Sequence, residues 1–303
     1  MSTKELIELM RRKKYLVGMG KGLLSRRYDV TPEQVQEARE AINMEALGKN
    51  LPRVLIFDIE TAPLKAFIWK LWKENVYIDQ VISNWFCIAW SAKWLYSSTT
   101  MGEVLTKEEV LKEDDTRIVK DLWKLINAAD IVIAHNGDKF DIPRINSRFI
   151  IHGLPPTKPY YSIDTCKVAK KQFGFSSNKL DALAGYFNIP HKLDTDFSLW
   201  KSCLEGDEKA LAYMLKYNKK DVEILEEVYL KLRPWIKAHP NIGNLGGIKD
   251  ACASCGSTNL VEEDGYYYTS VNKYPIYRCL DCGAHSRGRR SISHSTSLTN
   301  IGH

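Results

Sequence analysis

The pattern of apolar and polar positions divides the chain into a helical beginning, a middle of strands and helices, and a cysteine-bearing end. Short continuous apolar runs at residues 54–58 and 131–134 are typical of buried strands, whereas residues 115–129 place apolar side chains at helical spacing. A long helix is predicted at about residues 207–232, ending before Pro234 because a residue that precedes proline disfavours helix. This order predicts an α/β domain.

Residues 1–48 are predicted to form a small helical module. Thr31 supplies an N-cap, and Pro32 occupies the first helical position after it. Residues 22–35 have the rhythm of a helix-turn-helix, in which Asp29 can adopt the left-handed turn. The residues expected to close its small core are Leu24, Val30 and Val35. Two interpretations stay open, a module that reads nucleic acid and a plain helical hairpin.

The C-terminal part carries the strongest metal signal. After a glycine-rich stretch at residues 240–250, predicted to be a linker, two Cys-x-x-Cys pairs bracket a tyrosine-rich segment of strand character. This spacing predicts one structural Zn²⁺ ion in a zinc ribbon over residues 251–290. The predicted ligands are Cys252, Cys255, Cys279 and Cys282. The other three cysteines are scattered, so a disulfide framework is not expected. Residues 291–303 are serine-rich and are predicted to be a disordered tail.

The composition is that of a globular protein, with 44% hydrophobic and 26% charged residues. The uncharged run near residues 81–92 is too short to cross a bilayer, and a basic run at residues 11–14 interrupts the early apolar stretch. We therefore expect a cytoplasmic protein without a membrane partner. The net charge of +6 comes with basic clusters near both ends of the chain. This distribution suits a protein whose substrate is a polyanion. For either cluster taken alone, the alternative is a basic surface that keeps the protein soluble.

Three acidic signals follow one another in the α/β segment. Asp58 and Glu60 are two residues apart on a predicted strand, so both carboxylates project from one face, about 7 Å apart. Asp141 ends a polar run at residues 135–141, and Asp221 lies on the last predicted helix. Like charges about 4 Å apart cost roughly 4 kcal/mol per pair at an effective dielectric near 20, and divalent cations would remove that cost. The pattern predicts a two-metal centre.

These blocks resemble those of the DEDD 3′–5′ exonucleases of the RNase H-like fold, a family that includes polymerase proofreading domains. The first block of that family is Asp-x-Glu, which Asp58 and Glu60 match. The second is an asparagine followed four and five residues later by Phe-Asp. It is matched by Asn136, Phe140 and Asp141.

The third block divides that family into two branches. One branch places a histidine five residues before the last aspartate, and the other places a tyrosine four residues before it. Here Lys216 holds the first position and Tyr217 the second, so the chain resembles the tyrosine branch, DEDDy. The resemblance implies an exonuclease domain at residues 51–239 with an RNase H-like mixed β-sheet flanked by helices. The sequence from Asp58 to Pro63 is similar to that of family B polymerase exonucleases. The combination of a helical N-terminus, a nuclease domain and a zinc ribbon is most similar to bacteriophage proteins.

The resemblance also implies a role for each acid. Asp58, Glu60 and Asp221 would hold one Mg²⁺ or Mn²⁺ ion, and Asp58 would hold a second ion together with the scissile phosphate. Asp141 would act mostly through bound water. Tyr217 would orient the attacking water, since a phenol with a pKa near 10 is a poor base at pH 7.

Residues beside the acids are candidates for contacting the substrate. Thr61 could contact the terminal nucleotide, and Asn136 and Phe140 could shape the cleft. For Thr61 and Asn136 the alternative is that each is an ordinary residue at the end of a strand. His135 is predicted to be a hydrogen-bonded strand end rather than a ligand. An aromatic cluster after the first strand is interpreted mainly as core, with base stacking as the alternative for its first two members. It comprises Trp69, Trp72, Trp85, Phe86, Trp90 and Trp94.

The leading hypothesis is a metal-dependent 3′–5′ exonuclease that removes nucleotides from DNA, with single-stranded 3′ ends favoured. Two alternatives stay open: a nucleic-acid-binding adaptor that uses the nuclease fold as scaffold, and an RNase H-like endonuclease. The expected partners are nucleic acid, DNA rather than RNA, and a replication or repair protein. For a phage protein, the expected compartment is the cytoplasm of the bacterial host.

Overall fold

The chain divides into two compact units in a computed structural model. The central unit is Arg53–Tyr229, and the terminal unit combines Met1–Pro52 with Leu230–His303. The structure describes residues 1–13, 16, 21–47, 51–73 and 75–292. Most of the predicted tail, residues 293–303, therefore lies outside the described residues.

The central unit is built on one mixed sheet. The strands of this unit are β1 (Val54–Thr61), β2 (Lys65–Ala66), β3 (Val81–Ser83), β4 (Cys87–Trp94), β5 (Met101–Val104), β6 (Ile131–Ala134) and β7 (Tyr161–Asp164). Five of them form a sheet in the order β5-β4-β1-β6-β7. β4 is antiparallel to β1 and β5, whereas β1, β6 and β7 run parallel. The apolar runs predicted to be buried strands are the buried centres of β1 and β6, which confirms them.

Helices flank this sheet. They are α4 (Lys107–Leu111), α5 (Thr116–Asn127), α6 (Asp141–Ile151), α7 (Thr165–Gln172), α8 (Leu180–Tyr186), α9 (Phe197–Leu204) and α10 (Glu208–Leu232), the last of which extends into the terminal unit. The structure confirms the helices predicted at residues 115–129 and 207–232. Ile118, Leu122 and Ile126 on α5 recur at helical spacing and are all buried, which is why the pattern was visible in the sequence.

A buried ion pair fixes α10 to the sheet. Lys93 Nζ on β4 lies 2.5 Å from Glu226 Oε2 on α10, and both side chains are almost fully buried. The second carboxylate oxygen of Glu226 accepts a hydrogen bond from the Tyr96 N–H at 2.7 Å. Removing one partner of such a pair leaves the other as an uncompensated buried charge. The pair therefore holds the part of α10 that follows Asp221 in a defined position.

The described residues at the N-terminal end of the terminal unit form three helices, α1 (Thr3–Arg12), α2 (Lys21–Tyr28) and α3 (Pro32–Leu47). As predicted, the third begins at Pro32 and is capped by Thr31, whose Oγ1 accepts the Gln34 N–H at 3.2 Å. Asp29 has φ of +50°, the left-handed turn expected from the sequence. The expected core residues Leu24, Val30 and Val35 are buried. The helices are thus confirmed, and a nucleic-acid-reading role stays a prediction.

The C-terminal part of the terminal unit is a small antiparallel sheet. Its strands are β8 (Leu260–Tyr268), β9 (Lys273–Cys279) and β10 (His285–Arg287), in the order β10-β9-β8. Within the predicted linker, residues 242–245 form a short helix, and Ile242 and Gly243 are buried. The glycines there did not prevent local helix formation. Among the described residues, no helix combines the length and apolar composition needed to cross a membrane.

Candidate active site and metal centres

Three of the predicted carboxylates meet beside the sheet. Asp58 and Glu60 lie on β1 and Asp221 lies on α10, and one carboxylate oxygen of each is within 4.8 Å of the others. The strand period of two places the first pair on one face, and the fold brings in the third. Such a group repels itself unless protons or cations compensate it.

Asp141 lies in the same cleft but outside this group of three. It is the first residue of α6, and its Oδ1 accepts a hydrogen bond from the Ile59 N–H of β1 at 3.1 Å. The turn that leads into α6 is tight: Asn136 has φ of +65°, and a Cβ on Gly137 would lie 2.3 Å from Ala134 Cβ. Glycine is therefore required at this position to place Asp141 beside β1.

Two residues that the sequence analysis missed contact the acids. Asn218 Nδ2 donates to Asp58 Oδ2 at 2.7 Å, and Lys192 Nζ pairs with Asp221 Oδ2. Asn218 lies three residues before Asp221 on a helix that was predicted, so helical spacing could have identified it. Lys192 lies between α8 and α9, where no periodic pattern points to it.

Tyr217 lies one helical turn before Asp221. Its ring packs edge-on against Trp200, with centroids 6.4 Å apart, and Lys192 Nζ is 5.5 Å from its centroid. Burial raises the pKa of Tyr217, and the charge of Asp221 raises it further. The hydroxyl therefore stays protonated near neutral pH, and it can orient a neighbour but not remove a proton.

The carboxyl groups hold their protons unusually tightly. Burial raises the pKa of Glu60 to about 8 and that of Asp141 to about 7. Burial, followed by the charges of Asp141 and Glu60, raises the pKa of Asp58 well above its ordinary value. Burial also raises the pKa of Asp221, although Lys192 acts against this. Among the described residues, the buried Asp221 Oδ1 has no hydrogen-bond partner, so this oxygen is one that a bound cation could satisfy.

The acids lie in a cleft of about 660 Å³. Lysines that the sequence analysis did not single out share its lining, which makes the cleft suited to a phosphate backbone. These are Lys170, Lys179 and Lys192. Two of the predicted substrate contacts, Asn136 and Phe140, also line this cleft, whereas Thr61 lines a neighbouring pocket.

His135 is a hydrogen-bonded strand end, as predicted. Its Nδ1 is 2.9 Å from Thr165 Oγ1, and its Nε2 is 2.9 Å from the carbonyl oxygen of Asn178. Burial lowers its pKa to about 4, so the ring is neutral. With both ring nitrogens engaged by the protein, His135 has no nitrogen directed at the carboxylates.

The aromatic cluster separates into two groups. Phe86 and Trp90 are buried, which confirms the core interpretation for them. The same interpretation is wrong for Trp69 and Trp72, which are 93% and 81% exposed. The described part of the segment between β1 and β4 contains the short strands β2 and β3 and a 3-10 turn at Ile78–Gln80, and none of these offers a broad sheet face that could bury the two tryptophans.

The four predicted zinc ligands converge in the terminal unit. All four Sγ atoms lie within 4.8 Å of one another, and the pairs Cys252–Cys282 and Cys255–Cys279 are 3.6 Å apart. Sulfurs about 2.3 Å from a tetrahedral zinc ion would be separated by about 3.8 Å, so the cluster has the size of a zinc site. Gly256 and Gly283, which follow the two cysteine pairs, have φ of +75° and +78° and allow the tight turns at the cluster. The cluster fits a zinc ribbon.

A protein-family model matches part of the central unit. Residues 95–233 match the RNase_H_2 family, described as RNase_H superfamily. The central unit has an RNase H-like nuclease fold. Among solved structures, the chain is similar to the family B DNA polymerase from the hyperthermophilic archaeon Pyrobaculum calidifontis, with 16% identity and a TM-score of 0.46. The alignment covers 61% of this chain, which spans about a quarter of the polymerase chain, 25%. No curated protein matches the sequence.

The family match supports a nuclease and hence a protein that binds nucleic acid. The matched residues contain Asn136, Asp141, Tyr217 and Asp221, whereas Asp58 precedes them. The acids that meet in the structure therefore come from both inside and outside the matched region. RNase H-like nucleases use divalent metals, and the acidic cluster and the cysteine cluster are both groups that could bind a metal.

The raised carboxyl pKa values predict how stability changes with pH. Without divalent metal, the native site keeps protons that the unfolded chain loses near its ordinary carboxyl pKa of about 4. The buried His135 and His239, whose pKa values burial lowers to about 4, oppose this effect below pH about 6.5, where the unfolded chain protonates them. The melting temperature in EDTA should therefore fall as pH rises from about 6.5 to 8. Added Mn²⁺ should raise the melting temperature more at pH 8 than at pH 6, because it competes with fewer protons. Differential scanning calorimetry measures both trends.

The control for this prediction is Asp58→Asn, which removes one of the crowded charges. Its melting temperature in EDTA should depend less on pH than that of the unaltered chain, and it should respond less to Mn²⁺. A melting temperature that is the same at pH 6.5 and 8, with equal metal responses, would contradict the assigned electrostatics.

Proposed function

We propose that the chain is a metal-dependent 3′–5′ exonuclease of the DEDDy type, which removes nucleotides from single-stranded DNA ends. The observation that carries the proposal is the convergence of Asp58, Glu60 and Asp221, with Tyr217 one helical turn before Asp221. The RNase H-like fold and the family match support a nuclease. The preference for 3′ ends and for DNA rests on the resemblance of the three blocks to the exonuclease family.

The donor set fits Mg²⁺ or Mn²⁺ ions, since it consists of carboxylate oxygens alone. Asp58, Glu60 and Asp221 would hold one of two ions, Asp58 would also hold the second, and Asp141 would act through water. The unpartnered Asp221 Oδ1 and the raised carboxyl pKa values support this assignment. When bound, a pair of ions supplies hydroxide at neutral pH and stabilises the leaving oxygen.

The side chains of this chain position the reactants. Asn218 holds Asp58 through a hydrogen bond, so the carboxylate keeps one orientation. The protonated hydroxyl of Tyr217 orients the attacking water. Lys192, now paired with Asp221, supplies a positive charge beside the site of the scissile phosphate. Lys170 and Lys179 attract the backbone of the bound strand from the cleft wall.

The appendages are assigned to nucleic-acid binding in this proposal. The four cysteines would hold one Zn²⁺ ion, and the ribbon presents Arg287 stacked on Tyr274 with the guanidinium 4.2 Å from the ring centroid. The N-terminal helices would act as a helix-turn-helix-like module. A replication or repair protein is the proposed protein partner, and the arrangement of the three parts is proposed to be of bacteriophage type.

The first test compares the unaltered chain with Asp58→Ala on end-labelled single-stranded and duplex DNA and RNA. We expect Mn²⁺- or Mg²⁺-dependent laddering from the 3′ end of single-stranded DNA. The substitution should lower the rate at least about a hundredfold, because a carboxylate shared by both ions is lost. Gel electrophoresis of the products measures rate and direction together.

Asp121→Asn is the matched control, since Asp121 is a carboxylate of the same unit that pairs with Lys124 on α5. It should cleave at the unaltered rate. Circular single strands distinguish the alternatives: their cleavage would favour an RNase H-like endonuclease. Binding of every substrate without metal-dependent cleavage would favour the adaptor.

The second test addresses Tyr217. Tyr217→Phe should lower kcat about a hundredfold with little change in KM, because the orienting hydroxyl acts on the water and not on the bound strand. Stopped-assay kinetics on a single-stranded oligonucleotide measure both constants. Tyr213→Phe, one turn earlier, removes a hydroxyl that donates to the Asp194 carbonyl at 3.0 Å and should leave kcat unchanged. Equal kcat values for Tyr217→Phe and Tyr213→Phe would remove Tyr217 from the mechanism.

The third test addresses the cysteine cluster. The unaltered chain should contain one zinc per chain by atomic emission analysis. Cys279→Ser should lose that zinc, because three thiolates and a hydroxyl bind it far more weakly. Cys203→Ala removes a cysteine outside the cluster and should keep the full zinc content. Full zinc content in Cys279→Ser would show that Cys279 is not a required ligand.

A further inference from the structure

The segment between β1 and β4 forms a hairpin arm, defined as residues 64–83. β2 and β3 pair at its base, and the Phe67 N–H donates to the Gln80 carbonyl at 3.0 Å. Glu113 secures the base, since it lies 2.9 Å from Lys65 Nζ and accepts a hydrogen bond from Ser83 Oγ at 2.5 Å. The arm is therefore an anchored element with a long loop, of which the structure describes all residues but Glu74.

The arm exposes large apolar side chains to an unusual degree. Those that are at least four-fifths exposed are Trp69 at 93%, Ile78 at 87%, Trp72 at 81% and Leu71 at 80%. Contiguous exposed apolar surface of this kind marks an interaction site in a folded protein. Tryptophan adds a broad π-face to which a flat ligand can stack.

Charge on the arm selects among possible partners. The arm has three lysines and two acids, and the acids, Glu74 and Asp79, lie outside the stretch that holds both tryptophans. In that stretch, residues 67–73, Lys70 and Lys73 are interleaved with Trp69 and Trp72. Protein interfaces are enriched in tryptophan but depleted in lysine, whereas surfaces for single-stranded nucleic acid combine stacking aromatic rings with cations. A duplex hides the base faces that a tryptophan would stack on. The combination favours a single strand.

A second pocket is lined by the residues that connect β1 to the arm. Thr61 directly follows Glu60, and it lines a pocket of about 480 Å³ together with Leu64, at the start of the arm, and Trp85, just after its end. Arg144 Nη1 donates to Thr61 Oγ1 at 2.9 Å, and its guanidinium stacks 4.9 Å from the Trp85 centroid. The pocket thus offers the Arg144 cation and aromatic faces, together with the acid Asp196, beside the start of the arm.

We infer that the hairpin arm binds the single strand that runs away from the reactive end, with bases stacked on Trp69 and Trp72 and phosphates near Lys70 and Lys73. The position of the 3′ end in this arrangement rests on the proposed function. Binding of a single strand by the arm does not, and it can be measured without cleavage. The arm would make the protein prefer single strands over duplexes.

The experiment measures fluorescence anisotropy of a labelled 20-nucleotide single strand and of a blunt duplex, with the full chain in EDTA. W69A/W72A should raise the Kd for the single strand at least about fivefold per tryptophan, and should change duplex binding little. W69F/W72F keeps aromatic rings and should retain most of the affinity. K70A/K73A should make the slope of log K against log salt shallower by about 0.7 for each lysine.

Two further variants identify the kind of contact. W69L/W72L keeps apolar area without a ring and should bind as weakly as W69A/W72A. I150A/I151A removes two exposed isoleucines from α6, and it should bind like the unaltered chain. Unchanged single-strand affinity in W69A/W72A overturns the inference. Full affinity in W69L/W72L with loss in W69A/W72A also overturns the stacking inference, since apolar contact without a ring would then account for binding of the strand.

A small substrate separates this inference from the proposed function. The p-nitrophenyl ester of thymidine 5′-monophosphate is too short to reach the arm, so W69A/W72A should hydrolyse it with Mn²⁺ at the unaltered rate. If the chain hydrolyses this ester but W69A/W72A binds the single strand as tightly as the unaltered chain, the inference about the arm is overturned and the proposed function is not. If W69A/W72A weakens binding of the single strand but the unaltered chain hydrolyses neither the ester nor the strand, the inference about the arm is supported and the proposed function is overturned.

Discussion

Crowding of negative charge beside β1 is the constraint on which the rest of the structure depends. Three carboxylate oxygens lie within 4.8 Å of one another, and like charges about 4 Å apart cost roughly 4 kcal/mol per pair at an effective dielectric near 20. Three such pairs would cost about 12 kcal/mol, which is comparable with the whole free energy of unfolding of an ordinary domain, about 5–15 kcal/mol. The chain relieves this repulsion with retained protons, with the Lys192 ammonium and with the Asn218 amide. Divalent cations would replace the protons without moving the acids.

The fold withstands this repulsion because the acids sit on elements fixed by buried contacts on each side. On β1, Asp58 and Glu60 follow the fully buried Leu55, Ile56 and Phe57, and the strand is paired on both edges. Ile56 pairs with Lys93 on β4, and Lys93 reaches Glu226, five residues after Asp221 on α10. The buried ion pair joins β4 to α10, the crowded acids lie on β1 and α10, and the pairing of β1 with β4 connects the two groups. Repulsion between Asp58 and Asp221 cannot push β1 and α10 apart without separating Lys93 from Glu226, which would leave two buried charges unpaired.

The features that were predicted correctly from the sequence are those that local periodicity determines. The period of two placed Asp58 and Glu60 on one face, helical spacing identified α5 and α10, and cysteine spacing identified the ribbon. Lys192 could not be predicted, because its contact with Asp221 depends on how a loop between two helices returns to the sheet. Arg144 was missed for a similar reason, since its partners Thr61 and Trp85 come from distant segments. Tryptophan content predicted core, but burial also requires a face to pack against, and the short strands β2 and β3 provide none for Trp69 and Trp72.

On the proposed function, the exposed tryptophans of the arm affect how the protein could use the end of a duplex. A base at the end of a duplex must leave its partner before its phosphate can reach carboxylates inside a cleft, and DNA stacking contributes about 1.4 kcal/mol per base-pair step. Stacking on an aromatic side chain returns about 1–3 kcal/mol per base. With Trp69 and Trp72 both engaged, the arm would offset the melting of about two base pairs. On the proposed arrangement, frayed or mispaired ends would enter the cleft readily. Melting more than about two base pairs of a perfect duplex would be unfavourable, because each further pair costs the same free energy and the arm has no further tryptophan to stack on the released base.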